Sequence, residues 1–224
     1  MKFLVFSDVH SNENEKLYSY LENNDDIDLV IISGDITNFG PLEFVNTFIT
    51  KILTYNVDVI AIPGNCDIDG VPDAITDAGA LCLHNKITEY GDALIFGYGG
   101  SNETPFDTPG EFKDEKIYED LHALLEGYGG DKDPKVKILL THAPPLDTKA
   151  DLIEGGVHVG SEAISKVIRE FQPNLNLCGH IHEACSEDCL GKTAVFNPGM
   201  LENDGAVLIN IENASNFSAQ LINL

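Results

Sequence analysis

Asp8 and His10 close one apolar run, "LVFSDVH", and His180 and His182 close another, "NLCGHIH". Three more runs end in the same manner: "VIISGD" on Asp35, "AIPGN" on Asn65 and "ILLTH" on His142. Taken singly, each has an ordinary explanation as a helix cap, a turn amide or a hydrogen-bonded structural histidine. Together, seven donors at five strand ends point to metal binding. Asp8 and His10, like His180 and His182, are two residues apart, so in an extended segment both side chains of a pair face one side and can grip one ion. Carboxylate and amide oxygens mixed with four imidazoles suit first-row divalent ions, manganese first among Mn, Fe, Co, Ni and Zn. Seven ligands exceed what one such ion takes from protein, which favours two cations sharing a carboxylate. A pair of cations about 3.5–4 Å apart clamps a phosphoryl group and activates a water between them. The glycines before Asp35, Asn65 and His180 suit sharp turns where the backbone crowds a metal or a phosphate.

The elements that must bring these residues together are legible as short runs of Val, Ile, Leu and Phe. Residues 2 to 7, 28 to 33, 57 to 62, 93 to 98, 136 to 141, 174 to 178, 193 to 196 and 206 to 211 read as strands. Phe44, Phe48 and Ile52 recur every four residues beside Val45, Ile49 and Leu53, which predicts a helix with Pro41 at its first position. Ile117, Leu121, Leu124 and Leu125 mark a second helix, and Ile164, Val167, Ile168 and Phe171 a third, with Ser161 as its N-cap. The first third therefore runs β-α-β-α-β and the last third is richer in strands. This is an α/β fold whose sheet gains antiparallel strands toward the C-terminus. In such folds the carboxyl ends of strands border the ligand crevice, so residues distant in sequence meet there. No linker or repeat divides the chain, which reads as one domain over residues 1 to 224.

Charge narrows the partners. Thirteen basic against 37 acidic residues leave a formal net charge of −24, a field that repels nucleic-acid backbones in bulk and attracts cations. The longest apolar runs are strand length, too short for a membrane span. The chain starts in a strand without a basic leader segment, so the expected location is cytoplasmic. Cys66, Cys82, Cys178, Cys185 and Cys189 form no CxxC pair and read as reduced thiols rather than a disulfide framework. A small substrate is the expected partner, and self-association is left open.

As an ordered set, "SDVHSN", "SGDITN", "PGNCD", "LLTHAPP" and "LCGHIHE" resemble the motifs of the calcineurin-like metallophosphoesterases across residues 5 to 183, and the compact single-domain members of bacteria and archaea above all. The resemblance implies a four-layer α-β-β-α sandwich of two mixed sheets with a dinuclear site at its strand ends. It implies that Asp8, His10 and His182 bind one metal, Asn65, His142 and His180 the other, and that Asp35 bridges them. It implies a phosphoesterase, foremost a phosphodiesterase, in which a metal-bridging hydroxide attacks phosphorus. Phosphomonoester or pyrophosphate-type hydrolysis at the same site, and a non-catalytic scaffold on the same fold, are the alternatives.

One residue departs from the family pattern. Most members carry His where this chain has Cys66, and the acid after it, here Asp67, hydrogen-bonds that imidazole, which protonates the leaving oxygen. A thiol donates weakly and brings no positive charge, so Cys66 reads either as a small residue filling a tight turn or as a catalytic thiol. His158, in the glycine-flanked "GGVHVGS", is a candidate phosphate ligand or proton donor in place of the missing imidazole, against the plain reading of a surface-loop histidine. Residues 97 to 112 read as a loop shaping the substrate mouth, with Asn102, Thr104 and Phe106 as candidate contacts, against an ordinary ordered connection. "NPG" at 197 to 199 reads as a structural turn, and His84 and His122 as structural or solvated.

Overall fold

The computed structural model describes residues 1–128 and 135–224. In chain order its strands begin with β1 (Lys2–Phe6), β2 (Leu29–Ile32), β3 (Asp58–Ala61) and β4 (Leu81–Cys82). Then come β5 (Lys86–Tyr90), β6 (Ala93–Tyr98), β7 (Ser101–Asn102), β8 (Glu111–Phe112) and β9 (Val136–Thr141). β10 (Leu152–Ile153), β11 (Val157–His158), β12 (Leu175–Leu177), β13 (Ser186–Leu190), β14 (Thr193–Asn197), β15 (Gly205–Asn213) and β16 (Asn216–Asn223) complete them. The α-helices are α1 (Glu15–Asn23), α2 (Leu42–Leu53), α3 (Val71–Asp77), α4 (Asp114–Gly127) and α5 (Glu162–Phe171).

Two six-stranded mixed sheets form, in the orders β16-β15-β1-β2-β3-β4 and β13-β14-β12-β9-β6-β5. Three apolar layers hold them. Leu4, Val30, Ile32 and Val59 pack under Phe48, Ile49 and Ile52 of α2 and Leu17 of α1. Phe3, Val5, Leu29 and Ile31 turn the other way and meet Ile95, Ile138, Leu140 and Phe196 of the second sheet. Leu94, Phe96 and Leu139 then face Ile117 and Leu121 of α4 and Val167 and Ile168 of α5. The α-β-β-α order follows from strands apolar on both faces, which must be covered twice. Such strands are continuous apolar runs, as all four buried positions of β2 illustrate.

Every strand expected from the sequence is present, within a residue or two at its ends. Pro41 differs from expectation: its extended backbone makes it the N-cap, and α2 starts one residue later at Leu42. Ser161 caps α5 as its type predicts, accepting from Ile164 N, worth about 1 kcal/mol. Among the described residues no helix is long and apolar enough to cross a membrane.

Topology fixes the level of the candidate ligands. β1, β2 and β3 are parallel neighbours in which Phe6 pairs with Ile32 and Ile32 with Ala61, so the segments carrying Asp8, Asp35 and Asn65 leave the sheet side by side. β9 and β12 are also parallel, with Leu177 opposite Leu140, and deliver His142 and His180 from the second sheet.

Candidate metal centre

The seven donors converge. His10 Nε2 and His182 Nε2 stand 3.0 Å apart, and His182 Nε2 is 3.2 Å from Asp8 Oδ1. His10 Nε2 lies 3.7 Å from Asp8 Oδ1 and 3.6 Å from Asp35 Oδ2. On the other side His142 Nε2 is 2.9 Å from Asn65 Oδ1 and 3.4 Å from Asp35 Oδ1. The His180 ring packs edge-on against His142, with centroids 5.2 Å apart. Asp35 thus faces both halves of the cluster. Three overlapping sets of ligand atoms lie close enough to hold an ion: Asp8 with His10 and His182, His10 with Asp35 and Cys66, and Asp8 with Asp35 and His142.

Backbone and neighbours aim these groups. Asp8, His10, Asp35 and His180 all have positive φ, between 49° and 68°, an uncommon conformation for non-glycine residues that costs of order 1–3 kcal/mol each and gathers at functional sites. His142 donates from Nδ1 to the Ser33 carbonyl, 2.8 Å away, which turns Nε2 toward the centre. Asn65 donates from Nδ2 to Thr108 Oγ1 at 2.9 Å, and Thr108 donates to Glu111 Oε1 at 2.7 Å, so the amide presents Oδ1 inward. The His180 backbone N–H donates to Asp8 Oδ2 at 3.0 Å. Buried Asn197 donates to the carbonyls of Gly179 and Ile181, which pins the loop carrying His180 and His182 from behind. The "NPG" turn is structural in this sense.

Electrostatics favour cations. Asp8 is fully buried and Asp35 nearly so. Burial would raise the Asp8 carboxyl, but hydrogen bonds to His10 and His182 hold it well below the usual carboxylate range. Asp35 is likewise lowered against burial, chiefly by the charge of His142. Burial opposes protonation of His142, yet Asp35 beside it brings its value up to about 9. His180 is pushed down to about 4 by burial and by His142, so its imidazole is neutral and ready to ligate. Two buried carboxylates demand compensating positive charge, and divalent cations match this donor set better than one imidazolium can. The residues present therefore fit a metal.

The remaining candidates are less central. Cys66 donates its backbone N–H to Asp35 Oδ1 at 2.8 Å, while burial and the charge of Asp35 push its thiol up and keep it protonated. Asp67 lies behind the loop. Its carboxylate accepts from Gly64 N at 2.8 Å, Ile36 N at 3.0 Å, and Thr37 N and Oγ1 at 2.7 and 2.8 Å, joining the Asp35 loop to the Asn65 loop. Burial and the charge of Asp35 bring Asp67 up to about 6. His158 sits on the β10–β11 hairpin with Nδ1 2.7 Å from Oδ1 of fully buried Asp151, which raises its pKa. That hairpin is tied on one flank by Glu154 N–H to Glu183, next to His182, and on the other by Asn102 Nδ2 to the Val159 carbonyl at 3.3 Å.

In the 97–112 loop, Thr104 bonds to Glu111, and Phe106 is 80% exposed. His84 accepts from Gly99 N and packs on Tyr98 and Phe112, and His122 lies near Glu126 and Glu170. Sequence reasoning did not find Ser33, Thr108, Glu111 or Asp151. Their signal is weak, because the groups that orient a ligand are carbonyls, hydroxyls and loop carboxylates of no distinctive spacing.

A sandwich whose strand ends gather acid, amide and imidazole donors is suited to metal-assisted phosphoester hydrolysis. A model described as calcineurin-like phosphoesterase matches residues 1–184, and the chain belongs to that family. An uncharacterized protein of Methanocaldococcus jannaschii is 35% identical over 202 residues, covering 88% of each chain. The crystal structure of TT1561 of Thermus thermophilus shares the fold with a TM-score of 0.75 at 18% identity, covering 98% of this chain and 97% of that one. That of phosphopantetheinyl hydrolase from Mycobacterium tuberculosis does so with a TM-score of 0.63 at 12% identity, covering 90% of each. Membership of the family makes the chain a metal-dependent hydrolase of phosphoesters.

Proposed function

We propose that the protein is a phosphodiesterase acting on small phosphodiesters in a reducing, cytoplasmic setting. Asp8, His10 and His182 would hold one divalent ion, manganese foremost, and Asn65, His142 and His180 a second, with Asp35 shared. Such ions, when bound, supply Lewis acidity to the phosphoryl oxygens and lower the pKa of the attacking water. The five free cysteines support the location.

The observation that carries the diester reading is the lining of the cavity beside the centre: Val9, His10, Ser11, Asn12, Asn38, His182, Met200 and Glu202 include no lysine or arginine. A terminal phosphate dianion finds no clamp there, whereas a diester with one negative charge needs none beyond the cations. Asn65 contributes a neutral oxygen and so leaves the centre more electrophilic than a third carboxylate would. The Cys66 N–H fixes Asp35, and Asp67 locks the two loops together. The test is a chelator-stripped preparation assayed against mono- and diesters while Mn, Ni, Fe, Co, Zn and Mg are restored singly. Diester hydrolysis returning with Mn, and exceeding monoester hydrolysis, is the expected result. A monoester preference overturns the diester assignment.

Leaving-group protonation falls to His158 in this reading. The Asp151 carboxylate holds Nδ1–H, so Nε2 of the imidazolium can give its proton to an alkoxide. His158→Ala is expected to slow alkyl diesters about 100-fold, within the usual range for a general acid, and nitrophenyl diesters far less, because nitrophenolate leaves unaided. Equal slowing of both classes would remove His158 from the role.

A further inference from the structure

Next to His10 and His182 opens a cavity of about 460 Å³ whose other walls are Val9, Ser11, Asn12, Asn38, Met200 and Glu202. Its two sides are held firmly. On one, Met200 bridges Ser7 at the end of β1, Leu201 N–H donates to the Ser7 carbonyl at 3.0 Å, and Asn14 Nδ2 donates to the Leu201 carbonyl at 2.7 Å. On the other, Ser11 N–H donates to the Ile36 carbonyl at 3.0 Å and Asn38 N–H to Ser11 Oγ at 3.2 Å. The backbone around the cavity is thus fixed to the strand ends that carry Asp8 and Asp35. The side-chain ends of Asn12, Asn38 and Glu202 are exposed and take part in no hydrogen bond or ion pair among the described residues.

The chemistry of these three ends selects a ligand. A carboxylate only accepts, and each amide both donates and accepts, so the set complements hydroxyl groups, which do both. It does not suit a second phosphate, which Glu202 repels and no cation receives. No Phe, Tyr or Trp lines the cavity to stack a base or cage an ammonium group, and its two imidazoles, His10 and His182, belong to the candidate metal centre. Val9 and Met200 offer apolar surface to the carbon face of a polyol.

We propose that this cavity is the specificity pocket of the enzyme and binds a hydroxyl-bearing ester arm of the substrate, with Glu202 accepting from vicinal hydroxyls and Asn12 and Asn38 completing the contacts. The proposal rests on the phosphodiesterase reading and sharpens it to diesters of polyhydroxylated alcohols.

Symmetric diesters test it, because either arm then meets the cavity whichever one departs. Mn-loaded full-length protein is assayed with bis(3,4-dihydroxybutyl) phosphate, dibutyl phosphate and bis(2-trimethylammonioethyl) phosphate. The diol ester carries no hydroxyl positioned to attack its own phosphorus through a five-membered ring. The expected result is a kcat/KM for the diol diester about tenfold or more above dibutyl phosphate, the scale of one or two hydrogen bonds to a charged acceptor. In Glu202→Gln, and separately in the Asn12→Ala, Asn38→Ala double variant, that ratio falls toward one. A ratio is unaffected by the fraction of enzyme that folds, so a poorly folding variant still reports. A wild-type ratio near one, or a preference for the ammonium diester, overturns the pocket assignment and leaves the phosphodiesterase reading standing. Hydrolysis of p-nitrophenyl phosphate with no diester cleaved overturns both.

Discussion

Asp35→Asn is expected to lower kcat/KM by about three orders of magnitude and to reduce bound metal at the same time. Asparagine keeps the size of the side chain and removes its charge, so the loss reads the electrostatic role. Asp35 faces both halves of the cluster, 3.6 Å from His10 Nε2 through Oδ2 and 3.4 Å from His142 Nε2 through Oδ1. In the proposed two-ion arrangement its loss weakens both ions, and metal stabilisation of transition-state charge is worth several kcal/mol, with each 1.4 kcal/mol being about tenfold in rate. Metal content by elemental analysis and kcat/KM on an aryl diester are the two measurements. A variant that keeps two ions per chain and near-normal rates would show that Asp35 does not bridge.

The clustering of these seven side chains was legible because each follows an apolar run, and an α/β sheet brings the carboxyl ends of parallel strands to one edge. What sequence could not supply was aim. His142 points inward because the Ser33 carbonyl accepts from its Nδ1, and Asn65 presents oxygen because Thr108 Oγ1 accepts from its Nδ2. Neither partner is a residue type that advertises function, and Thr108 is 43 residues from Asn65. The fold was legible to the same depth. β1, β2, β6 and β9 are nearly all buried and declare themselves by composition. β13, "SEDCL", and β16, "NFSAQLIN", lack that signal: no residue of either is fully buried, and they are strands because β14 and β15 offer them an edge. β4, β7, β8, β10 and β11 are two residues each, too short for any periodicity, and α3 spans seven.

Cys66 shows where family pattern and local chemistry part. The turn that carries it is fixed by groups other than its thiol: Asp67 takes the Gly64 N–H, and the Cys66 N–H takes Asp35. Replacing imidazole by thiol therefore leaves the loop intact and removes only what the ring would have donated. In the proposed function the proton for a poor leaving group falls to His158, whose Nδ1 is held by buried Asp151.

Gly64→Ala tests how tightly the loops crowd the centre, with Gly127→Ala as its counterpart. A Cβ on Gly64 would overlap the Asp35 carboxylate and the Asp35 backbone N, and the Gly64 carbonyl already sits against Gly110. Neither side can yield: Asp35 is held by the Cys66 N–H, and the Gly64 N–H is held by buried Asp67. Overpacking of this kind costs about 1–3 kcal/mol of stability, and displacing a positioned ligand by about 1 Å costs about 100-fold in rate. At Gly127, in the last turn of α4, an added Cβ meets nothing within 4 Å and φ is not left-handed. There alanine removes backbone entropy from the unfolded chain and is expected to stabilise by about 0.5–1 kcal/mol with activity unchanged. Thermal denaturation and kcat/KM on the metal-loaded variants read both. The same chemical change should move stability in opposite directions at the two sites, and only at Gly64 should it reach the chemistry. Full activity in Gly64→Ala would mean that contact with this loop is not what sets the position of Asp35.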